Sequence, residues 1–329
     1  MSSSISLCRC LGWLLTSLFP ALGLSIAAAQ AQDFPKKTVR IISTGPGGSS
    51  DTLARVLASE LSEVWGHPVI VENKAGAGGI VSTVAAAKAT PDGYTVLINT
   101  SAFVVSAETS LKPVYDPIKD FTPVALLGKG PLLLVARPQL PANTLPQLLA
   151  LARQKPDAIT YASTGNGGIT HLSAALLFQE ATVHLRHIPF RSGNQATANV
   201  VGGHIDVYLG SMSASLPLVR NSSLKALAVT SLKRSVFAPD IPTAVEGGLA
   251  NFSLELWWAI LAPARTPQSA VNEINRQINT ALEKARVREF LAKEGVEAAP
   301  MTPEQVGKFL REEQGRWKKV VEESKFEKQ

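Results

Sequence analysis

Two glycine-rich turns, far apart in the chain, gather the residue types that can hold an anion. The first reads Thr44-Gly45-Pro46-Gly47-Gly48-Ser49-Ser50-Asp51, the second Ser163-Thr164-Gly165-Asn166-Gly167-Gly168-Ile169-Thr170-His171. Glycine has no Cβ, so its backbone N–H can come close to a ligand. Each turn follows an apolar, strand-like run and opens an amphipathic pattern, and a helix start adds partial positive charge. The hydroxyls of Ser49, Ser50, Thr164 and Thr170 can donate to a carboxylate. Two such turns point to a ligand held at two points, or between two domains. Neither carries groups that would do chemistry on it. The first lacks the lysine before Ser/Thr of a nucleotide loop, and the second lacks the spacing of a dinucleotide fingerprint.

Other chemistry-bearing residues leave two readings each. Asp51 either caps the following helix or faces the ligand. His171 lies beside a hydroxyl-rich turn, so a hydrolytic site with a Ser or Thr nucleophile and Asp51 can be drawn. No serine stands in a Gly-x-Ser-x-Gly elbow, however, and a ring filling the space under the turn accounts for His171 as well. His67, His184, His187 and His204 are scattered without ligand spacing, so no metal or cofactor site follows. Arg191, just after a strand, has the reach for a bidentate carboxylate contact or is a surface arginine. Of Trp257 and Trp258, one is expected in the core and the other at a cleft or hinge. The candidate contacts are Thr44, Gly45, Gly47, Gly48, Ser49, Ser50 and Asp51; Asn99, Thr100 and Ser101; Ser163, Thr164, Gly165, Asn166, Gly167, Gly168, Thr170 and His171; and Arg191, Gly210 and Ser211. A hydrogen bond to a charged group contributes about 1.5–3 kcal/mol. A few of them reach micromolar affinity, about 8 kcal/mol, without an arginine clamp.

Alternating strands and helices are needed to position these turns. Residues 39–42 read as a strand and 50–65 as a helix, with Leu53, Val56, Leu57, Leu61 and Val64 at helical spacing. A strand at 69–72 leads through Gly76-Ala77-Gly78-Gly79 into an alanine-rich helix ending at Ala89. Pro91-Asp92-Gly93 then turns the chain into a strand at 94–99. A second series follows the apolar strand at 132–136: helix 145–154, strand 159–162, helix 169–179, strand 183–188, helix 195–201, and strands 205–209 and 224–229. Residues 252–262 read as a return strand. Two helices are expected after it, one started by Pro267 and one capped by Thr302-Pro303-Glu304. The alternation argues for an α/β fold with mostly parallel sheets covered on both faces. Both glycine turns then fall beyond the carboxyl ends of strands, where such sheets bind ligands. One domain is expected from 32–130 together with 253–329, and a second, inserted one from 131–252.

Residues 1–31 read as a cleaved export leader. Arg9 is the only charge before Asp33, the stretch 11–29 is apolar, and Ala29-Gln30-Ala31 has the small-x-small form of a cleavage site. Pro20 and Gly23 interrupt the apolar stretch and argue against a membrane anchor. Both cysteines, Cys8 and Cys10, lie in this leader, so the rest of the chain has no disulfide or thiolate site. Removing Arg9 leaves 31 basic against 26 acidic residues, a net charge of +5. The basic residues are scattered apart from Arg316-Trp317-Lys318-Lys319, which reads as a solvated helix face rather than a nucleic-acid patch, and the mild positive balance suits steering of small anions.

Several stretches resemble the periplasmic solute receptors of the tripartite tricarboxylate transporter family, also called Bug receptors. They are the Gly-Pro-Gly-Gly-x-x-Asp turn at 45–51, Asn73-Lys74-Ala75-Gly76-Ala77-Gly78-Gly79, Pro91-Asp92-Gly93-Tyr94, the stretch from Tyr115 to Val124, Gly202-Gly203-His204-Ile205-Asp206-Val207, Ala226-Leu227-Ala228-Val229-Thr230, Asp240-Ile241-Pro242-Thr243, and Ala262-Pro263-Ala264-Arg265-Thr266-Pro267. The resemblance implies a two-lobed periplasmic binding protein of type II, each lobe a mostly parallel sheet flanked by helices. It implies a non-catalytic monomer in the periplasm that grips a small organic carboxylate between the turns at 44–51 and 163–171. That ligand would pass to membrane transporter subunits. Thr44 stands where relatives often carry an aromatic residue, and Leu209-Gly210-Ser211 where many carry an acidic one; both bear on which acid is bound. A hydrolase using His171 and a receptor feeding a sensor kinase are the alternatives.

Overall fold

The computed structural model describes residues 34–46, 49–250, 252–323 and 328. The leader expected at 1–31, with Cys8 and Cys10, lies outside the described residues, as do Gly47 and Gly48 of the first turn.

Strand and helix alternate along the first part: β1 (Val39–Ser43), α1 (Ser49–Trp65), β2 (Val69–Asn73), a short 3-10 turn (Ala77–Gly79), α2 (Ile80–Ala87), β3 (Thr95–Thr100) and α3 (Ala102–Thr109). The long β4 (Phe121–Ala136) leads into α4 (Leu145–Gln154), β5 (Thr160–Ser163), α5 (Ile169–Glu180), β6 (Arg186–Pro189), α6 (Gly193–Val201), β7 (Val207–Ser211), α7 (Met212–Arg220) and β8 (Lys225–Val229). The chain returns through β9 (Glu255–Pro263) and ends in α8 (Gln268–Leu282), α9 (Ala285–Lys293), β10 (Glu297–Ala298) and α10 (Pro303–Glu323). Among the described residues the strands run in the order β2-β1-β3-β9-β4-β7-β5-β6, with β8 and β10 also paired to β4. β1 pairs in parallel with β2 and β3, and β5 with β6 and β7. The antiparallel strands β9 and β4 join these two parallel groups.

β4 carries the architecture. Residues 121–131 pair with β9, while 132–136 pair with β7 and β8, so one strand belongs to both halves of the sheet. Sequence reading saw only its second part, because Pro123, Gly128, Gly130 and Pro131 look like breakers. The register against β9 shifts between Pro123 and Ala125 and again between Leu126 and Gly128, and such irregularities accommodate residues that a regular ladder would reject. The glycines also make room. A Cβ on Gly128 would lie 2.6 Å from Val296 Cγ1, and one on Gly130 would lie 2.5 Å from the Gly295 carbonyl oxygen.

Side chains alternate across the sheet, and each face meets its own helices. Leu132 and Leu134 join the core that also holds Phe103, Trp257 and Trp317, while Leu133 and Val135 pack with Ala196, Val200 and Met212. Trp257 and Trp258 are both buried, on opposite faces of β9, so neither lines a cleft. Trp257 Nε1 donates to Glu313 Oε2 at 2.9 Å, and this anchors α10 to the sheet. Among the described residues the C-terminal region holds three helices where two were expected. Lys284, in an extended conformation, breaks the run between α8 and α9. Among the described residues no helix is long and apolar enough to cross a membrane.

Candidate functional site

The second turn leaves β5 at Ser163 and enters α5 at Ile169. Gly165 (φ 126°) and Gly167 (φ 68°) adopt conformations that favour glycine. The turn is braced from within. Thr170 Oγ1 accepts from the Thr164 N–H at 2.9 Å, Ser163 Oγ accepts from the Gly165 N–H at 3.1 Å, and His171 Nδ1 accepts from the Gly167 N–H at 3.0 Å. An accepting Nδ1 puts the proton of the neutral imidazole on Nε2. His171 lies parallel to His187, ring centroids 3.8 Å apart and planes within 4°, and Tyr161 stacks on both. His187 Nε2 is 2.6 Å from Ser163 Oγ. Burial lowers the pKa of His171. Burial first, and then the neighbouring His171, hold that of His187 down to about 4. Both rings are therefore neutral props at physiological pH. Sequence reading had not connected His187 to this turn, because β6 brings it there from 24 residues away.

The first turn packs behind a third glycine segment. Gly79 (φ 97°) stands at the N-cap of α2, and a Cβ on it would lie 3.1 Å from Thr44 Cγ2. Its carbonyl accepts from Ser82 Oγ and Thr83 Oγ1, each at 2.7 Å. Asp51, in the first turn of α1, is buried; it accepts from Asn73 Nδ2 at 2.8 Å and pairs with Arg55 at 3.1 Å. Ser50 is buried as well. Asn99 donates to Thr83 Oγ1 and accepts from the Thr100 N–H, so its amide serves the scaffold.

Between the segment at 77–80 and the second turn lies a cleft of about 440 Å³. The first half of the chain lines it with Ala77, Gly78 and Ile80, and with Ala102, Val105, Ser106, Thr109 and Ser110. The second half contributes Thr164, Asn166, Gly167, Gly168 and Ile169. Residues 102, 105, 106 and 109 fall on one face of α3, as the 3.6-residue period requires. Ile80, Ala102 and Ile169 are the first residues of α2, α3 and α5, so three helix N-termini meet in one cleft. Their dipoles favour an anion there, while the first N–H groups of α2 and α3 are already taken, Ile80 by the Ala77 carbonyl and Ala102 by Thr100 Oγ1.

Of the residues singled out from sequence, Thr164, Asn166, Gly167 and Gly168 line this cleft. Thr44, Gly45, Ser49, Ser50, Asp51, Asn99, Thr100, Ser101, Ser163, Gly165, Thr170 and His171 are not among its lining residues and instead build or flank the turns. Arg191 is exposed after β6, and its N–H donates to Gln195 Oε1. Gly210 is needed for packing, since a Cβ there would run into the Tyr208 ring, and Ser211 ends β7 at the N-cap of α7. The lining on α3 was missed because no capping motif announces 102–109. The glycines at 76–79 were the available signal for the other wall. The hydrolytic arrangement finds little support. His171 Nδ1 is taken by a backbone N–H, and Ser163, which does meet an imidazole, is fully buried away from any substrate. Among the described residues no group of three or more His, Cys, Asp or Glu side chains is placed to hold a metal ion.

Comparison with known proteins decides the family. The model of the tripartite tricarboxylate transporter family receptor matches residues 53–326. The chain belongs to that family. It is 34% identical to the protein BugT of Bordetella pertussis over 319 residues, covering 94% of this chain and 98% of BugT. Among solved structures, the periplasmic binding protein BugD is similar at a TM-score of 0.78 and 29% identity, over 90% of this chain and all of BugD. MatC from Rhodopseudomonas palustris, solved with bound malate, is similar at a TM-score of 0.76 and 32% identity, over 88% of this chain and 100% of MatC. This tripartite tricarboxylate transporter receptor thus has the α/β fold of the periplasmic binding proteins, and its family role is that of a solute-binding receptor.

Proposed function

We propose that this receptor is exported to the periplasm, captures a small organic carboxylate in the cleft between residues 77–80 and 164–169, and delivers it to membrane transporter subunits. The observation that carries this reading is the meeting of the α2, α3 and α5 N-termini in a cavity of small-molecule size. MatC, solved with malate, supports the carboxylate, and the family's description supports the transporter partner. The change of pairing partners at Pro131–Leu132 of β4 supports two lobes, 32–130 with 253–329 and 131–252. The contacts proposed are the cleft residues of the second turn together with Gly78 and Ser106; Thr44 shapes the first wall from behind, against Gly79. Binding and release require no bond making, so the chain acts without catalysis.

A ligand bound only by the folded state stabilises it by about 2.7 kcal/mol at a hundredfold excess over its dissociation constant. Thermal unfolding with a panel of organic acids and their amides tests the reading. At least one acid raises the melting temperature and its amide does not. Equal shifts from acid and amide would contradict anion binding.

A further inference from the structure

A second cavity, of about 630 Å³, lies between α7 with residues 236–237 on one side and α9 with Gly295 on the other. It shares no lining residue with the cleft, and its helices pack into cores other than that of α3 and α5. Its size falls within the range of small-molecule sites, about 300–1,000 Å³. Met212, Leu216, Pro217, Val236, Phe237 and Ala292 make the walls, and the charged side chains in its lining are Arg220 and Lys293. The floor is closed where Gly295 meets α7, since a Cβ on that glycine would lie 2.3 Å from Met212 Cβ. Val236 stays 65% exposed in its wall. An adjoining groove of about 510 Å³ shares Phe237 and Ala292 and prolongs the apolar surface to Leu282, Leu291 and Val296. The charges there are mixed, Arg288 with Glu283 and Glu297, so the positive end is at Arg220 and Lys293.

We propose that this cavity is a second binding site, for an amphipathic carboxylate: one acid group on a hydrocarbon chain, as in a medium-chain fatty acid. The acid group meets Arg220 and Lys293, and the chain lies along the apolar walls towards Leu291 and Val296. Arg220 Nη2 donates to the Phe237 carbonyl at 3.0 Å, which holds the guanidinium beside the wall and leaves its other N–H groups for a ligand. Among the described residues neither cation is ion-paired. Both stand in the last turn of their helices, where the dipole opposes an anion with about half a negative charge. A full positive charge at each end outweighs it. The last carbonyls are also engaged, that of Pro217 by the Asn221 N–H and that of Ala292 by the Gly295 N–H. A neutral chain of equal length keeps only the apolar contacts, and a cationic one meets like charge. Because α7 lies in 131–252 and α9 in 253–329, the occupant bridges the two lobes proposed above.

Calorimetric titration of the purified protein with decanoate tests this, with decan-1-ol and decyltrimethylammonium as neutral and cationic probes of the same chain length. Decanoate is expected to bind saturably at one site, at least about tenfold more tightly than either. A fully buried methylene contributes roughly fourfold in affinity, so hexanoate should bind at least about tenfold more weakly than decanoate. Lys293→Glu reverses one cation, and Ala292→Trp fills the cavity; both positions are exposed. Each variant, with the melting temperature of the empty protein unchanged, should bind decanoate at least about tenfold more weakly. Ser106→Asp, on the cleft face of α3, should bind it as the parent does. No saturable binding of decanoate, or equal binding of the three probes, would overturn the proposal. So would loss of binding in Ser106→Asp with full binding in Lys293→Glu, which would put the acid in the cleft instead.

Discussion

At the scale of single residues, the second turn depends on two imidazoles staying neutral. Protonated His171 can no longer accept from the Gly167 N–H, and a charge on His187 would face the parallel ring at 3.8 Å. The consequence for stability has a definite sign. In the folded protein His187 is held down to about 4, against an ordinary value of 6.5, by burial and by His171. The unfolded chain therefore binds the proton first. The stabilisation is complete above about pH 6.5 and is lost as the pH falls from there towards 4. His171, lowered by burial, acts in the same direction. Carboxylates such as Glu72, held below 4.5 by its hydrogen bond to Lys74, lose their contribution only below that value. The window from pH 6.5 to 4.5 thus isolates the histidines. Urea unfolding across it should show a smaller loss of stability in His187→Gln than in the parent, and parallel curves would refute the neutral-prop role.

At the scale of elements, one hydroxyl joins the two connections between the halves of the sheet. Thr230, buried just past β8, accepts from the Leu132 N–H of β4 at 2.8 Å through Oγ1 and donates from Oγ1 to the Leu254 carbonyl, just before β9, at 2.6 Å. Thr230→Val keeps the shape and leaves both backbone groups unpaired, so it should cost about 1–3 kcal/mol. Thr230→Ser should stay close to the parent in the same denaturation experiment; a Val variant as stable as the Ser variant would remove the hydroxyl from the account. Periodicity made most of the elements legible beforehand: α1 showed its apolar stripe, and β5 with α5 showed a strand, a glycine turn and a helix start. The first part of β4 was hidden, because its prolines and glycines are explained only by bulges and by the crossing of β10, which are tertiary facts. α3 was hidden for a related reason. Its run Ala102-Phe103-Val104-Val105 is buried almost all round and carries little amphipathic signal. That omission mattered for the site, since α3 supplies one wall of the cleft. The glycine turns themselves were legible, but which of their groups face the cavity depends on the bracing by Thr170, His171 and Thr44.

At the scale of the whole molecule, the cleft draws its lining from two stretches of chain that β4 and the segment from Thr230 to Leu254 connect. A ligand bridging both walls should draw the halves together, so small-angle X-ray scattering should report a smaller radius of gyration with a bound acid than without one. No change would mean that the acid is held by one wall alone. The family role of a solute-binding receptor asks for complementarity and motion in capture and release. The measurement that tests the central claim most directly is a crystal structure with an acid chosen by thermal shift. The account predicts the carboxylate in the cleft, within hydrogen-bond distance of N–H or hydroxyl groups at residues 77–80 or 164–169 and alongside Ser106. An acid bound elsewhere, for instance in the groove formed by Phe237, Arg288 and Val296, with the cleft filled by water, would contradict it.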